Sequence, residues 1–431
     1  MTAEIAILNK NAVALAADSA VTIQKPDTQK IYNTANKLFM LSKYHPVGIM
    51  VYGSANLMGI PWETVIKIYR KELGEADFSK LVQYAEHLIA FLENSRALFP
   101  DRLQASSLVG FCDWILSQIQ ISIDQAVKRE IQERGAVDDN DVLRIVTASV
   151  EHHHGAWSEY RRLDCFPEGF ENELIEKYKP ELDSLIDRVF NQLPIESVRG
   201  KLLEICAFRM TRDWWSVSWG GVVIAGFGKD DILPVVQSYT VESIVFNRLK
   251  YSPQPHNSND MNESGAAVII PFAQAEIVHR FIRGIDPDYK NEMAQFIRTL
   301  LTTEYPKRLL EQFAGRLNEE DSRNTQAELI KLARGILSEF DDKWSAWETG
   351  KFISPVIDIV ADLPKDDLAA MAESLVNLTS FKRKITAEAE TVGGPIDVAV
   401  ISKGDGFIWI KRKHYFQPEL NPAFLANYYR R

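Results

Sequence analysis

The 431-residue sequence has little cysteine, no excess of positive charge and no long hydrophobic run. Its three cysteines, Cys112, Cys165 and Cys206, are far apart, which fits a reducing compartment and indicates neither a disulfide framework nor a zinc site. The formal net charge of −10 disfavours a nucleic-acid partner, because phosphate binding needs a basic surface. No apolar run approaches the roughly 20 residues that span a membrane, and the first residues lack a signal-peptide pattern. We therefore expect a cytoplasmic protein with no membrane or nucleic-acid partner.

The amino-acid composition favours a large buried core, since 46% of the residues are hydrophobic. Short apolar runs at residues 4–8 and 12–17 flank an Asn-Lys-Asn turn and predict a β-hairpin. The same pattern predicts three further strand pairs, at residues 37–41 with 47–52, 222–227 with 235–241, and 396–402 with 407–411.

Helical patterns fill the segments between these hairpins. The clearest helices are predicted at residues 111–134 and 142–161, and another is expected to open at residue 53 and run to about Leu73. Two sheets with helices outside both would use all of these faces. The fold class predicted from this order is α+β.

One set of positions carries a family resemblance. The opening matches the first two strands of a proteasome β subunit without a gap, and later motifs follow in family order: residues 2–22, Lys37, Gly53-Ser54-Ala55, Gly393-Gly394 and Asp405-Gly406. The chain thus resembles the proteasome β subunits, which are N-terminal-nucleophile (Ntn) hydrolases. Its enlarged helical segments make it similar to the more distant bacterial homologues.

The resemblance implies a four-layer αββα sandwich with large helical insertions. It divides the chain into a first part of the Ntn core at residues 1–74, a helical insertion at 75–215, a second part of the core at 216–285, a helical segment at 286–375, closing strands at 376–415 and a tail at 416–431.

The catalytic residues that the resemblance implies are Thr2, Asp18, Lys37 and Gly53. Once Met1 is removed, the hydroxyl of Thr2 would attack a carbonyl while its own α-amine takes the proton. An α-amine has a pKa of about 7.7–8, and a nearby Lys37 ammonium would lower it. Asp18 would hold Lys37 in place, and the backbone N–H of Gly53 would face the developing oxyanion.

The family's specificity pocket corresponds here to Val21, Ala35, Phe39, Val51 and Ala55. None of these side chains is charged, so we expect an apolar residue on the acyl side of the cleaved bond. The resemblance implies a peptide or protein substrate, no cofactor, no metal, and self-association into a ring or similar oligomer. It leaves an ATPase partner open.

Two departures from the family keep other functions open. Active subunits carry a Ser between two Gly before the third helix and an Asp-x-x-Ser before the closing Gly-Gly. Here these places read Ala267-Val268-Ile269 and Ala389-Glu390-Thr391-Val392, and the substitutes at hand are Ser264, Glu388, Glu390 and Thr391. The leading hypothesis is a threonine peptidase. The alternatives are a catalytically silent scaffold that binds a partner and a small-molecule amidase on the same fold.

Two further clusters have simpler interpretations. The histidines at residues 152–154 point three ways around a predicted helix, which is poor metal geometry, so we interpret them as a solvated face. Trp214-Trp215 and Trp219 precede a strand and are predicted to pack in the interior, with an exposed partner surface as the alternative.

Overall fold

The computed structural model describes residues 3–25, 28–263, 265–313, 316–386, 392–414, 416–423 and 426. Its strands, in chain order, are β1 Glu4–Asn9, β2 Val13–Ala17, β3 Val21–Lys25, β4 Thr28–Tyr32, β5 Leu38–Met40, β6 Val47–Gly53, β7 Asn56–Leu57, β8 Ile60–Pro61, β9 Gly220–Gly226, β10 Val235–Val245, β11 Arg248–Pro253, β12 Asn259–Asp260, β13 Ala267–Ala273, β14 Asp397–Ser402 and β15 Gly406–Lys411.

Long helices occupy the segments between the hairpins. In chain order they are α1 Trp62–Leu73, α2 Leu81–Asn94, α3 Asp101–Arg134, α4 Asp139–Glu159, α5 Phe170–Val189, α6 Arg199–Thr211, α7 Ala275–Arg283, α8 Pro287–Thr299, α9 Tyr305–Gln312, α10 Glu319–Glu348, α11 Ser354–Asp362 and α12 Lys365–Ile385. Among the described residues, we find no helix with the length and apolarity needed to cross a bilayer.

The strands form antiparallel sheets. One has the order β13-β1-β2-β14-β15, and a second has the order β11-β10-β9-β6-β5 with β12 beside β10. Short hairpins β3-β4 and β7-β8 lie apart from these. The chain is therefore a mixed α+β protein, and the hairpin predicted for residues 4–17 is confirmed by the pairing of β1 with β2.

The chain divides into two compact units. The first comprises Met1–Thr34, Met261–Val400 and Ile408–Arg431. Strands β1 and β2 are buried throughout, as their nearly continuous apolar sequences indicate. Alternate side chains such as Ile5 and Ile7 pack in one hydrophobic cluster with Leu368 and Leu375 of α12.

The second unit comprises Ala35–Asp260 and Ile401–Phe407. One face of its sheet, represented by Ile49 and Ile224, packs in one cluster with α1 and α2. Helices α3 to α6 enclose a separate cluster that includes Leu116 and Ile186. These four helices thus have a hydrophobic core of their own.

Two local expectations differ from the structure. The first helix begins at Trp62 rather than at residue 53, because the β7-β8 hairpin intervenes. Its start is tied back by a hydrogen bond from Trp62 N to the Ala55 carbonyl at 3.1 Å. Residues 267–273, which we did not predict as a strand, form β13 at the edge of the first sheet.

Candidate active site

The candidate nucleophile, Thr2, lies outside the described residues, but the residue after it is firmly held. Ala3 N donates to Asp18 Oδ1 at 3.1 Å, and Asp18 N donates to the Ala3 carbonyl at 3.1 Å. Ala3 is 2% exposed. The chain therefore enters β1 along a fixed path, which is the requirement for placing a nucleophile one residue earlier.

Asp18, which directly follows β2, binds three backbone amides with its side chain. Its side chain accepts hydrogen bonds from Ala3 N, from Ala20 N at 3.2 Å and from Gly393 N at 2.9 Å, and the residue is 1% exposed. Hydrogen bonds to a buried carboxylate are stronger than those between neutral groups. Asp18 thereby joins the start of β1, the end of β2 and the segment that precedes β14.

The segment that contains Gly393 and Gly394 is also hydrogen-bonded to Ser19, the neighbour of Asp18. Ser19 N donates to the Gly393 carbonyl at 3.1 Å, and Ser19 Oγ donates to the Pro395 carbonyl. Gly394 has a φ of +78°, and a Cβ there would lie 2.8 Å from the Asn33 carbonyl oxygen. Only glycine fits that position without strain. The resemblance identified the glycines, whereas the part played by Ser19 was missed.

Lys37 belongs to the second unit and directly precedes β5. It is 3% exposed, and its carbonyl accepts a hydrogen bond from Val51 N at 2.9 Å. A buried lysine is uncommon unless it has a partner or a function. Because Asp18 belongs to the first unit, the contact expected between the two side chains stays a prediction.

The Gly53-Ser54-Ala55 turn is tightly constrained. Gly53 has a φ of +76°, and a Cβ there would lie 2.9 Å from the carbonyl oxygen of Trp219. Ser54 N donates to that same carbonyl at 3.0 Å, and Ser54 Oγ donates to the Asn56 carbonyl at 2.8 Å. The turn therefore has a fixed backbone, a property that an oxyanion-binding amide requires.

The residues of the expected pocket lie in different surroundings. Phe39 and Val51 are 6% and 3% exposed and belong to the hydrophobic cluster beneath α1 and α2. Ala35 and Ala55 are partly exposed in the second unit, and Val21 is partly exposed in the first. In the second unit the structure thus places Phe39 and Val51 in one apolar cluster.

Of the two segments that depart from the family motifs, the structure describes residues 267–269 in full but only Val392 of residues 389–392. Val268 and Ile269 lie on β13, opposite Leu8 and Ile7 of β1. Val392 is 1% exposed. The substitutes Ser264, Glu388, Glu390 and Thr391 lie outside the described residues. Residues 267–269 therefore supply apolar side chains beside β1.

A buried charge cluster, which the sequence analysis missed, consists of Arg209, Glu242 and Lys250. Both terminal nitrogens of Arg209 donate to Glu242 at 3.0 Å, and Lys250 Nζ lies 3.2 Å from Glu242 Oε2. Lys250 Nζ also donates to the Trp214 carbonyl at 2.6 Å, and Ser216 N donates to Glu242 Oε1 at 2.6 Å. The charge cluster therefore fixes the backbone that leads into β9.

Burial and charge act in opposite directions on the pKa values of this cluster. Burial alone would raise the pKa of Glu242, but the charges and hydrogen bonds of Lys250 and Arg209 outweigh it and lower that pKa to about 2. Burial lowers the pKa of Lys250 to about 8 against the attraction of Glu242. The sequence signal of the cluster is an acid within a strand, since Glu242 is the only charged residue of β10.

The charge cluster is connected to the candidate oxyanion turn. Trp219 N donates to the Ser216 carbonyl at 3.3 Å, and the Trp219 carbonyl holds Ser54 N. The ring of Trp219 packs edge-on against Tyr52, with 5.8 Å between ring centroids. Interior packing was predicted for Trp214, Trp215 and Trp219, and the structure shows all three as partly buried side chains.

Histidines 152–154 are not part of a metal-ligand group within the described residues. His154 Nε2 lies 2.6 Å from Glu204 Oε2, and burial lowers the pKa of His153. No group of three or more potential metal ligands occurs in the described part of the chain.

No model of a known protein family matches the sequence, and no curated protein matches it.

Proposed function

We propose that the protein is a threonine hydrolase of the Ntn type, which cleaves peptide or amide bonds with Thr2 after loss of Met1. The proposed fold is the four-layer αββα sandwich of that class. The observation that carries the proposal is the pair of hydrogen bonds between Ala3 and Asp18, because they fix the backbone directly after Thr2. The buried Lys37 and the constrained Gly53 turn support it.

The proposed reaction needs only groups of this chain, the substrate and water. Thr2 Oγ attacks the substrate carbonyl carbon, and its proton passes to the Thr2 α-amine. Collapse of the tetrahedral intermediate breaks the C–N bond, and the leaving amine takes that proton. Water then hydrolyses the ester and releases the acid. The Gly53 amide would stabilise the oxyanion in both steps, and the Lys37 ammonium would keep the α-amine neutral.

The proposed substrate has an apolar residue on the acyl side. None of the five residues of the expected pocket is charged, so a charged substrate side chain placed among them would lose its hydration without gaining a partner.

The direct test combines an intact mass with covalent labelling. We expect the purified protein to lack Met1, and a peptide epoxyketone with leucine beside the reactive group to label Thr2. An otherwise identical reagent with arginine should label it more slowly. Retention of Met1, or equal labelling of a Thr2→Ala variant, would contradict the proposal.

A catalytically silent scaffold is the second candidate, and β13 is the observation that favours it. The expected seryl hydroxyl is replaced by apolar side chains at residues 267–269. Without that hydroxyl, fewer groups orient the Thr2 amine. A protein that has lost Met1 but is not labelled at all would support this function.

We propose that copies of this chain associate with one another, and we leave an ATPase partner open. On α10, Leu332, Ile336 and Phe340 recur every four residues and form one stripe, and they are 62%, 51% and 40% exposed. Exposed apolar stripes of this kind favour association. Light scattering at micromolar concentration should give a mass above the 49.0 kDa of one chain. A monomer at all concentrations would exclude the oligomer.

A further inference from the structure

An aromatic cleft of about 480 Å³ lies between α3 and the segment that precedes β9. Phe111, Trp114, Trp214 and Trp215 contribute its walls. The rings of Trp114 and Trp214 are stacked, with centroids 5.4 Å apart and planes 28° apart. Trp114 is 50% exposed. The cleft thus offers flat aromatic surface that is open to a ligand.

A cation forms part of the same wall. Arg209 lines the cleft with its guanidinium 4.4 Å from the ring centre of Phe111 and 4.7 Å from that of Trp214. Its terminal nitrogens bind Glu242, but its Nε is buried without a hydrogen-bond partner. Arg209 therefore brings a positive charge to this wall, and its buried Nε is a donor that has no hydrogen-bond partner.

The charge cluster behind the wall carries an excess of positive charge. It contains two cations, Arg209 and Lys250, and one carboxylate, Glu242. The next carboxylate along the segment, Asp213, is engaged by Arg161 at 3.0 Å and by Trp215 Nε1 at 2.8 Å. A positive excess in a region of low dielectric attracts an anion and repels a cation.

We propose that this cleft binds an organic anion with a flat apolar body, that is, an aromatic carboxylate. The ring would stack on Trp114 and Trp214, and the carboxylate would lie toward Arg209. Offset stacking and the compensation of buried positive charge favour the same orientation. A free aromatic acid and the C-terminal carboxylate of a peptide ending in an aromatic residue share this chemistry. The inference does not depend on the activity of Thr2.

The test uses 1-naphthoate and its neutral analogue 1-naphthalenemethanol, with binding followed by calorimetry on the full-length protein. We expect the acid to bind about tenfold or more tightly than the alcohol, since a charge-assisted hydrogen bond adds on the order of 1.4 kcal/mol or more. Gly110→Leu should reduce the affinity for the acid by about tenfold or more, because Gly110 lines the cleft and a side chain there meets open space.

Gly155→Leu on α4 is the matched control, because a side chain there also meets open space and Gly155 is not part of the cleft. Both changes favour helix formation, so the variants should fold. Trp114→Ser provides a second variant that removes the stacking surface, and it should also weaken binding of the acid.

The source of the ligand is read from a second pair of probes, N-acetyl-Ala-Ala-Trp and its C-terminal amide. Binding of the peptide acid in preference to the amide would support the inference with a peptide terminus as ligand. Binding of 1-naphthoate alone would support it with a free acid as ligand. Equal affinity for 1-naphthoate and the alcohol, or unchanged affinity in both Gly110→Leu and Trp114→Ser, would overturn it.

Discussion

Replacement of Lys37 by alanine is expected to abolish labelling of Thr2 and to lower any turnover by at least about 10²-fold. A cation within about 4–6 Å lowers the pKa of an amine by one or more units and so keeps it neutral at pH 7. The Lys37 carbonyl, and not its side chain, bonds to Val51 N, so that contact survives the change. Rates of labelling by a peptide epoxyketone, with melting temperatures of both proteins, measure the effect.

Lys43→Ala is the matched control for this experiment. Lys43 is exposed and lies in the loop between β5 and β6, close to Lys37 in sequence. The control should label like the wild type. If Lys37→Ala labels at the wild-type rate, or if it is unfolded while Lys37→Met folds and labels normally, Lys37 has no part in the chemistry.

Replacement of Glu242 by glutamine is expected to lower the free energy of unfolding by about 3–5 kcal/mol. The change leaves two buried cations, Arg209 and Lys250, without a counter-charge, and it weakens the acceptor of Ser216 N. Urea denaturation measures the loss. Glu339→Gln is the control, because Glu339 forms an exposed ion pair with Lys343 on α10, and such pairs contribute about 0–1 kcal/mol.

The pH dependence of stability provides an independent readout of Glu242. Its pKa is about 2 in the folded protein against an ordinary 4.5. The unfolded chain therefore binds the extra proton first as the pH falls, so this stabilisation is complete above pH 4.5 and is lost between pH 4.5 and 2. The group contributes about 3 kcal/mol across this window. The difference in stability between wild type and Glu242→Gln should shrink there, and a constant difference would contradict the assignment.

Much of the fold could be predicted because the signals are local. The β1-β2 hairpin follows from two apolar runs around a polar turn, and α3 and α4 follow from the helical patterns at residues 111–134 and 142–161. Strand β13 was missed because its partner, β1, lies more than 250 residues earlier in the chain. No local pattern specifies such a pairing.

The candidate site could be predicted only in part for a similar reason. The resemblance to the proteasome β subunits predicted roles for Lys37 and Gly53, and in the structure Lys37 is buried and Gly53 has a φ of +76°. Glu242 could not be assigned a partner from sequence, since Arg209 lies on a helix and Lys250 on another strand. A single charged residue in a buried strand predicts a partner but does not identify it.

The ion pair between Arg209 and Glu242 limits how far this chain could be shortened. Arg209 lies on α6, and it binds a carboxylate of strand β10. Removal of α3 to α6 would leave Glu242 with one cation and Lys250 without the Arg209 carbonyl that it also binds. A shortened form of this protein without these helices would therefore need a different residue at position 242.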